Sequence, residues 1–221
     1  MTEIDLDALL ARVERLEALD EIRQLAAKYT VCVDMRDMDA LVNLFVDDIG
    51  APGKQKGRAA LRAWYDHQLR TRITGTAHGV HGHVIDVQDA DHAAGLVYSR
   101  NDLESEGVWM IEMMAYLDAY ERREGHWYFA RRTPLFWYEC DITNPPIGEN
   151  KLRYVGTEWT EGAFHTAFPS WDEFWRAEPG RLEVPVRAPA PVGAWLHTLR
   201  RGEGAPRVNP SGGSGAARAG T

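Results

Sequence analysis

The sequence predicts an α+β protein rather than a parallel α/β one, on three observations. Apolar residues recur at helical spacing over residues 6–69. After Thr74 the period changes to strand-like alternation that runs to Cys140. The two kinds of segment are segregated instead of alternating, which favours an antiparallel sheet beside a group of helices.

The first helix is expected over Leu6–Val33, where Leu6, Leu9, Leu10, Val13, Leu16, Ile22, Leu25, Tyr29 and Val33 are spaced by threes and fours. Its first part, interleaved with Arg12, Glu14, Arg15 and Glu17, is suited to pack on a partner subunit or on the body of the domain. Asp37 is placed to cap a second helix, Met38–Val46, with Leu41, Leu44 and Phe45 on its apolar side. "DDIGAPGKQKG" reads as loop, and a third helix follows over Arg58–Leu69, with Leu61, Trp64 and Tyr65 as its candidate buried residues. Strands are expected at Val80–Val87, Ala93–Asn101, Val108–Arg122 and His126–Cys140, the last two joined by the hairpin turn "RREG". This cone-like domain occupies residues 1–140. Residues 141–185 read as a lid or inter-subunit extension holding a short helix, "SWDEFWRAEPG", capped by Ser170 and closed by Gly180. Residues 186–221, rich in Pro, Gly, Ser and Ala, read as an arm and a disordered tail.

Charge narrows the partners. The formal net charge is −8 and no run of Lys or Arg occurs, which argues against nucleic acid and against an anionic membrane. No stretch has the ~20 apolar residues of a bilayer span. The acidic N-terminus lacks the basic region of a signal peptide, and Cys32 and Cys140 are too few for a disulfide framework. A reduced, cytoplasmic setting is expected.

"TGTAHGVHGHVIDV" puts His78, His81 and His83 within six positions. His-x-His on a strand is a zinc or iron pattern, but it needs a third ligand, and neither Glu112, Asp102 nor His126 is singled out by spacing. Strict alternation puts His81 and His83 on one side and His78 on the other, so a compact three-histidine site would require a bulge. The plainer reading leaves His81 and His83 as half-exposed strand residues. His78, entering the sheet after small residues, is a candidate proton shuttle, which requires a carboxylate on its far ring nitrogen. Asp34, at the end of the first helix, is either that partner or a surface cap.

"EIRQLAAKYTVCVDMRDMDALVNLFVDD", "GRAALRAWY", "TAHGVHGHVIDVQDADHAAGLVY" and "YERREGHWYFARR", in this order over residues 16–140, resemble the SnoaL-like branch of the nuclear transport factor 2-like superfamily. The resemblance implies a curved antiparallel sheet wrapped round helices with a deep pocket between them. Scytalone dehydratase, hexachlorocyclohexane dehydrochlorinase and the bile-acid dehydratases of this branch imply an Asp–His dyad, which falls on Asp34 in "VDMRD" and His78 in "TAHGVHGHV". Tyr29 matches a tyrosine that some of the dehydratases keep one turn before the aspartate, where it polarises a carbonyl or leaving hydroxyl. The strand that usually follows the second helix is nearly absent here, and the residues after 140 have no counterpart in the small dehydratases.

With no redox motif, phosphate loop or nucleophile triad in view, proton transfer without a cofactor or metal is the expected chemistry. A dehydratase or other lyase acting on an apolar, ring-containing substrate ranks first. An isomerase or cyclase ranks second, and a non-catalytic binding or assembly subunit is the competing class. Arg131 and Arg132 have opposite parity, so one of them is a candidate to face substrate. Asn101 and Asp102 are expected just past the second strand, as polar contacts or turn residues. Trp109, Met113, Phe129, Phe136 and Trp137 are candidate pocket linings, or plain core. A homodimer or homotrimer is expected from the long first helix, the proline-rich arm and the habits of relatives.

Overall fold

A computed structural model of the chain describes residues 5–162, 164–165 and 167–177. Its order is α1 (Leu6–Asp34), α2 (Met38–Asn43), β1 (Gly50–Ala51), β2 (Gln55–Lys56), α3 (Arg58–Arg72), β3 (Gly75–Val87), β4 (His92–Ser105), β5 (Val108–Arg123), β6 (His126–Asp141) and α4 (Pro169–Ala177). The four long strands form one antiparallel sheet in the order β3-β4-β5-β6. Three helices precede it, so the chain is α+β, with the helices gathered against one face of the sheet.

Helix boundaries follow local chemistry. The Asp5 and Asp37 side chains accept the Ala8 and Ala40 N–H groups and so cap α1 and α2. Ile22, Leu25, Ala26, Tyr29 and Val33, at helical spacing, form the buried stripe of α1. They pack with Leu41, Val42 and Phe45 against Val97, Tyr116, Tyr120 and Phe129 of the sheet. The first half of α1 does not join this core: Leu6, Leu9, Leu10, Val13 and Leu16 are all exposed. Among the described residues no helix is long and apolar enough to cross a membrane.

Two expectations change. Residues 50–56 are not plain loop: β1 and β2 form a two-residue hairpin about a turn in which Gly53 takes a φ of 76°. α2 stops at Asn43, and Phe45 instead makes a bridge with Phe129 of β6. Elsewhere the strands are longer than predicted, and "RREG" closes the β5–β6 hairpin with Glu124 and Gly125 at φ 52° and 84°.

The sheet carries three irregularities, at His81 on β3 and near Trp137 and Ala130 on β6. Each extra residue bends its strand and increases the local twist. The face towards the helices is therefore concave.

The described part of the extension after β6 runs along two sides of the sheet. Residues 151–153 hydrogen-bond the backbone of Glu139. Phe164 and Ala167 then join Leu96, Ala115 and Leu117 in a separate apolar cluster on the outer face. Gly162 permits close approach to the Trp137 carbonyl. Phe164 donates its N–H to the Phe136 carbonyl at 3.0 Å and stacks on Tyr98. α4 starts at Pro169, so Ser170 lies in its first turn rather than ahead of it. Gly180, and the arm and tail expected over 186–221, lie outside the described residues. Phe164→Ala should lower the unfolding free energy by about 3 kcal/mol, the usual scale for a buried aromatic, measured by urea denaturation; an unchanged midpoint would show that the segment is not held on the sheet.

Candidate active site

The site is built where α1 ends beside the start of β3. Asp34 is the last residue of α1, and both its oxygens are used. Oδ1 lies 2.6 Å from His78 Nδ1, and Oδ2 accepts the His78 backbone N–H at 2.9 Å. The two side chains are only 8% and 14% exposed, His78 and Asp34 respectively. The turn after Asp34 is fixed by Arg36, whose guanidinium donates to the Val33 and Ile73 carbonyls and to Thr76 Oγ1. With Nδ1–H given to the carboxylate, the Nε2 lone pair of His78 is the one that faces away from Asp34.

The bulge at His81 decides which residues share the concave face with His78. Register pairs Val80 with Ser99 and Gly82 with Tyr98, so the alternation inverts across His81. His83 therefore shares the face of His78, against the simple parity count, while His81 is exposed. His83 is not the half-free strand residue expected. Its Nε2 lies 2.9 Å from the Tyr120 hydroxyl, its Nδ1 is buried without a partner, and burial, with Arg132 and Arg23 nearby, lowers its pKa to about 4. The sequence signal for this contact was Gly95 inside β4: a Cβ there would stand 3.0 Å from His83 Nε2 and 2.9 Å from the Tyr120 ring.

Two polar groups occupy this face. In the first, Tyr120 donates to Asp118 Oδ2 at 2.9 Å, and Arg132 grips Asp118 through Nε and Nη2 at 3.0 and 3.1 Å. The Arg132 guanidinium lies 4.0–4.5 Å from the ring centres of Tyr29, Tyr116 and Phe129. Burial opposes its charge, but Asp118 and the surrounding tyrosines outweigh that and raise its pKa. Its Nη1 is buried and unpaired. Tyr29 and Tyr65 share a hydrogen bond of 2.9 Å, and Tyr29 packs edge-on against His78 with ring centres 6.4 Å apart. Burial raises the pKa of Tyr29 despite Arg132, so its hydroxyl stays protonated.

In the second group, register places His78, Asn101, Glu112 and Glu139 side by side on four successive strands. Asn101 accepts from Ser99 at 2.6 Å and donates to Glu112 Oε2 at 2.8 Å. It is fully buried within β4, not a turn residue beyond it. Burial raises the Glu112 pKa against the pull of Asn101 and His78. Burial and the neighbouring Glu112 push Glu139 up to about 9.

Of the remaining candidates, Phe129 is wholly buried core and Phe136 is a partly buried concave residue. Arg131 pairs with Ala119 and so points to the outer face, as do Trp109, 51% exposed, and Met113. These three do not line the concave side. Asp102 likewise has the outward parity. Sequence reasoning gave no site role to Tyr65 on α3, or to Tyr116, Tyr120, Asp118 and Glu139, which the strand register brings to the concave face. Among the described residues, no group of three or more His, Cys, Asp or Glu side chains is arranged to hold a metal ion.

The Glu139 shift sets a stability slope. Its carboxyl keeps a proton in the folded chain up to about pH 9, whereas the ordinary value is 4.5. Folding therefore binds a proton between these limits, and stability falls as pH rises through them. The wild type should lose stability towards pH ~9 on the order of 1 kcal/mol per pH unit, and Glu139→Gln should flatten that slope. Urea unfolding of both proteins across this range tests it; parallel curves would place the proton elsewhere.

The chain was compared with known proteins. The model of the SnoaL-like domain matches residues 14–133, more than half of the 221. No curated protein matches the sequence. Among solved structures, a type 2 hexachlorocyclohexane dehydrochlorinase superposes with a TM-score of 0.55 at 21% identity, covering 62% of this chain and 99% of its own. A scytalone dehydratase-like protein from Novosphingobium aromaticivorans gives 0.53 at 22% identity, over 66% and 99% of the two chains. An NTF2-like protein with a cystatin-like fold from the same species gives 0.51 at 29% identity, over 60% and 90%. These likenesses describe the fold, and the family match covers the segment that holds Tyr29, Asp34, His78, Asn101 and Arg132: the chain belongs to the SnoaL-like domain family.

Proposed function

We propose that this protein is a cofactor-independent acid–base enzyme in which His78, oriented by Asp34, removes a carbon-bound proton from an apolar cyclic substrate, and that the reaction is an elimination. The observation that carries this reading is the 2.6 Å contact between Asp34 and His78 Nδ1, reinforced by the Asp34 bond to the His78 backbone. The carboxylate fixes the tautomer that leaves Nε2 as base, and it stabilises the imidazolium formed when the proton arrives. The mostly buried setting strengthens that charge interaction.

Removing a proton beside a carbonyl leaves negative charge on the carbonyl oxygen, which needs donors already in place. The Tyr29 hydroxyl, one helical turn before Asp34 and packed against the His78 ring, supplies one. Arg132 Nη1, buried with no protein acceptor, supplies a second, its other nitrogens being fixed on Asp118. Tyr29, Tyr116 and Phe136 offer flat apolar surface, which suits a ring system. Elimination ranks above isomerisation or cyclisation because the names of two structural neighbours, a dehydrochlorinase and a dehydratase-like protein, both describe eliminations.

Proton abstraction can be assayed without the natural substrate by following α-proton exchange of β-tetralone in deuterated buffer by NMR. The wild type should catalyse exchange, and His78→Ala and Asp34→Asn should each slow it by roughly 10²–10⁴-fold, the usual reach of one acid–base group, with unchanged circular dichroism. Variants that exchange as fast as the wild type would leave the family's binding role as the better reading.

A further inference from the structure

Glu112 and Glu139 have no part in the proton abstraction described above, yet they stand in the same row of the concave face. Glu112 is two strands from His78, across Asn101, and Glu139 is its Cα partner on β6. Both are buried, and their side chains project from directly paired positions on β5 and β6, with Cβ atoms about 5 Å apart. Two carboxylates this close do not both ionise, so one proton is shared between them. Every neighbouring element contributes to their surroundings. β4 gives the Asn101 amide, β3 gives His78, and the end of α3 gives Arg72. The segment after β6 brings Tyr154 beside Glu139. Glu139 Oε1 is buried with no partner, although the residue's own N–H donates to the Lys151 carbonyl and its carbonyl accepts the Arg153 N–H. A retained proton in such a place, next to a base, is a store of acid.

The geometry points to a second functional unit in this site: the Glu112–Glu139 pair holds one shared proton and delivers it, through the Glu112 carboxyl, to the oxygen that leaves the substrate. This rests on the reading of Asp34–His78 as the base. His78 Nε2 takes the carbon-bound proton, and the freed electron pair becomes the new C=C bond. The C–O bond on the adjacent carbon breaks, and the Glu112 O–H proton goes to the departing oxygen, releasing water. The enzyme is left with an imidazolium and a doubly ionised carboxylate pair. Return of the proton from His78 to the pair, through solvent that enters as product leaves, restores both. Glu112 is the delivering member because it lies beside Asn101 and nearer His78. Glu139 sits on the far side, its backbone tied to Lys151 and Arg153 of the post-sheet segment. The substrate class narrows accordingly, to a cyclic β-hydroxy ketone, whose hydroxide leaves poorly without a proton.

The test compares leaving groups. Wild type and Glu112→Gln are assayed on a cyclic β-hydroxy ketone, on its β-chloro counterpart and for exchange of β-tetralone. Gln mimics the protonated carboxyl in shape and hydrogen bonding, and circular dichroism checks the fold. Chloride departs without a proton, so Glu112→Gln should slow loss of water at least ~100-fold more than loss of chloride. Infrared spectra of wild type at neutral pH should show a protonated-carboxyl C=O stretch that Glu112→Gln and Glu139→Gln each remove. A missing stretch, or equal slowing of the two leaving groups, overturns the acid role while leaving the base intact. A wild type that shows the stretch but exchanges no α-proton overturns the Asp34–His78 reading itself.

Discussion

The two-oxygen hold of Asp34 on His78 is the joint on which the site depends. It ties the end of a 29-residue helix to the first strand of the sheet, using the backbone N–H as well as the ring. A side-chain contact alone would leave the imidazole free to turn. The added backbone bond fixes where β3 begins relative to α1. Arg36, held at a φ of 61°, closes the same corner by bonding the last turns of α1 and α3 and Thr76. Because α1 also carries Tyr29, this one joint brings together the three side chains proposed as base, orienting acid and hydroxyl donor.

The concave face holds more buried polar groups than an apolar core would, and their pairing explains how it remains stable. A buried ion pair is tolerated only when both ions are well satisfied. Asp118 accepts from both Arg132 and Tyr120, and Arg132 is enclosed by three aromatic rings. The atoms left over are instructive. Arg132 Nη1, His83 Nδ1 and Glu139 Oε1, three of the buried atoms without partners among the described residues, belong to the concave face, whereas Arg131 Nε belongs to the outer one. Unsatisfied groups are costly when scattered through a core. Gathered on one surface, they are where a polar substrate atom or a water gains most by binding.

The helices, strands and hairpins were legible because each has a local cause: the stripe of α1, the Asp37 cap, the turn at Glu124–Gly125. The strand ends were placed too short, which made Asn101 the end of a strand that in fact continues to Ser105. The facing of side chains was only half legible. Parity counting separates Arg131 from Arg132, since no bulge lies between them, but it fails at His83, because the extra residue at His81 inverts every later position on β3. Trp109 and Met113 were offered as lining on composition alone, and register sends them outward. Asp34 and His78 were each visible as candidates, and it was a resemblance, not spacing, that favoured their pairing. Forty-four residues separate them, and nothing local in either segment specifies the other.

The polar residues of the sheet divide by row. Asp118, Arg132, Tyr120 and His83 form one group, where protonated hydroxyls and a fixed cation stand together. Asn101, Glu112 and Glu139 lie level with His78, where protons are held rather than charge neutralised. A substrate ring seated against Tyr29 and Tyr116 would have its oxygen drawn to the first group and its departing group to the second. That separation is what an elimination requires, because charge must develop on the carbonyl oxygen while a proton reaches a different atom. A binding module has no need to keep an acid and a base on one row and donors on another. Under the proposed reading, the sheet gives the base, the acid and the oxygen donors separate places.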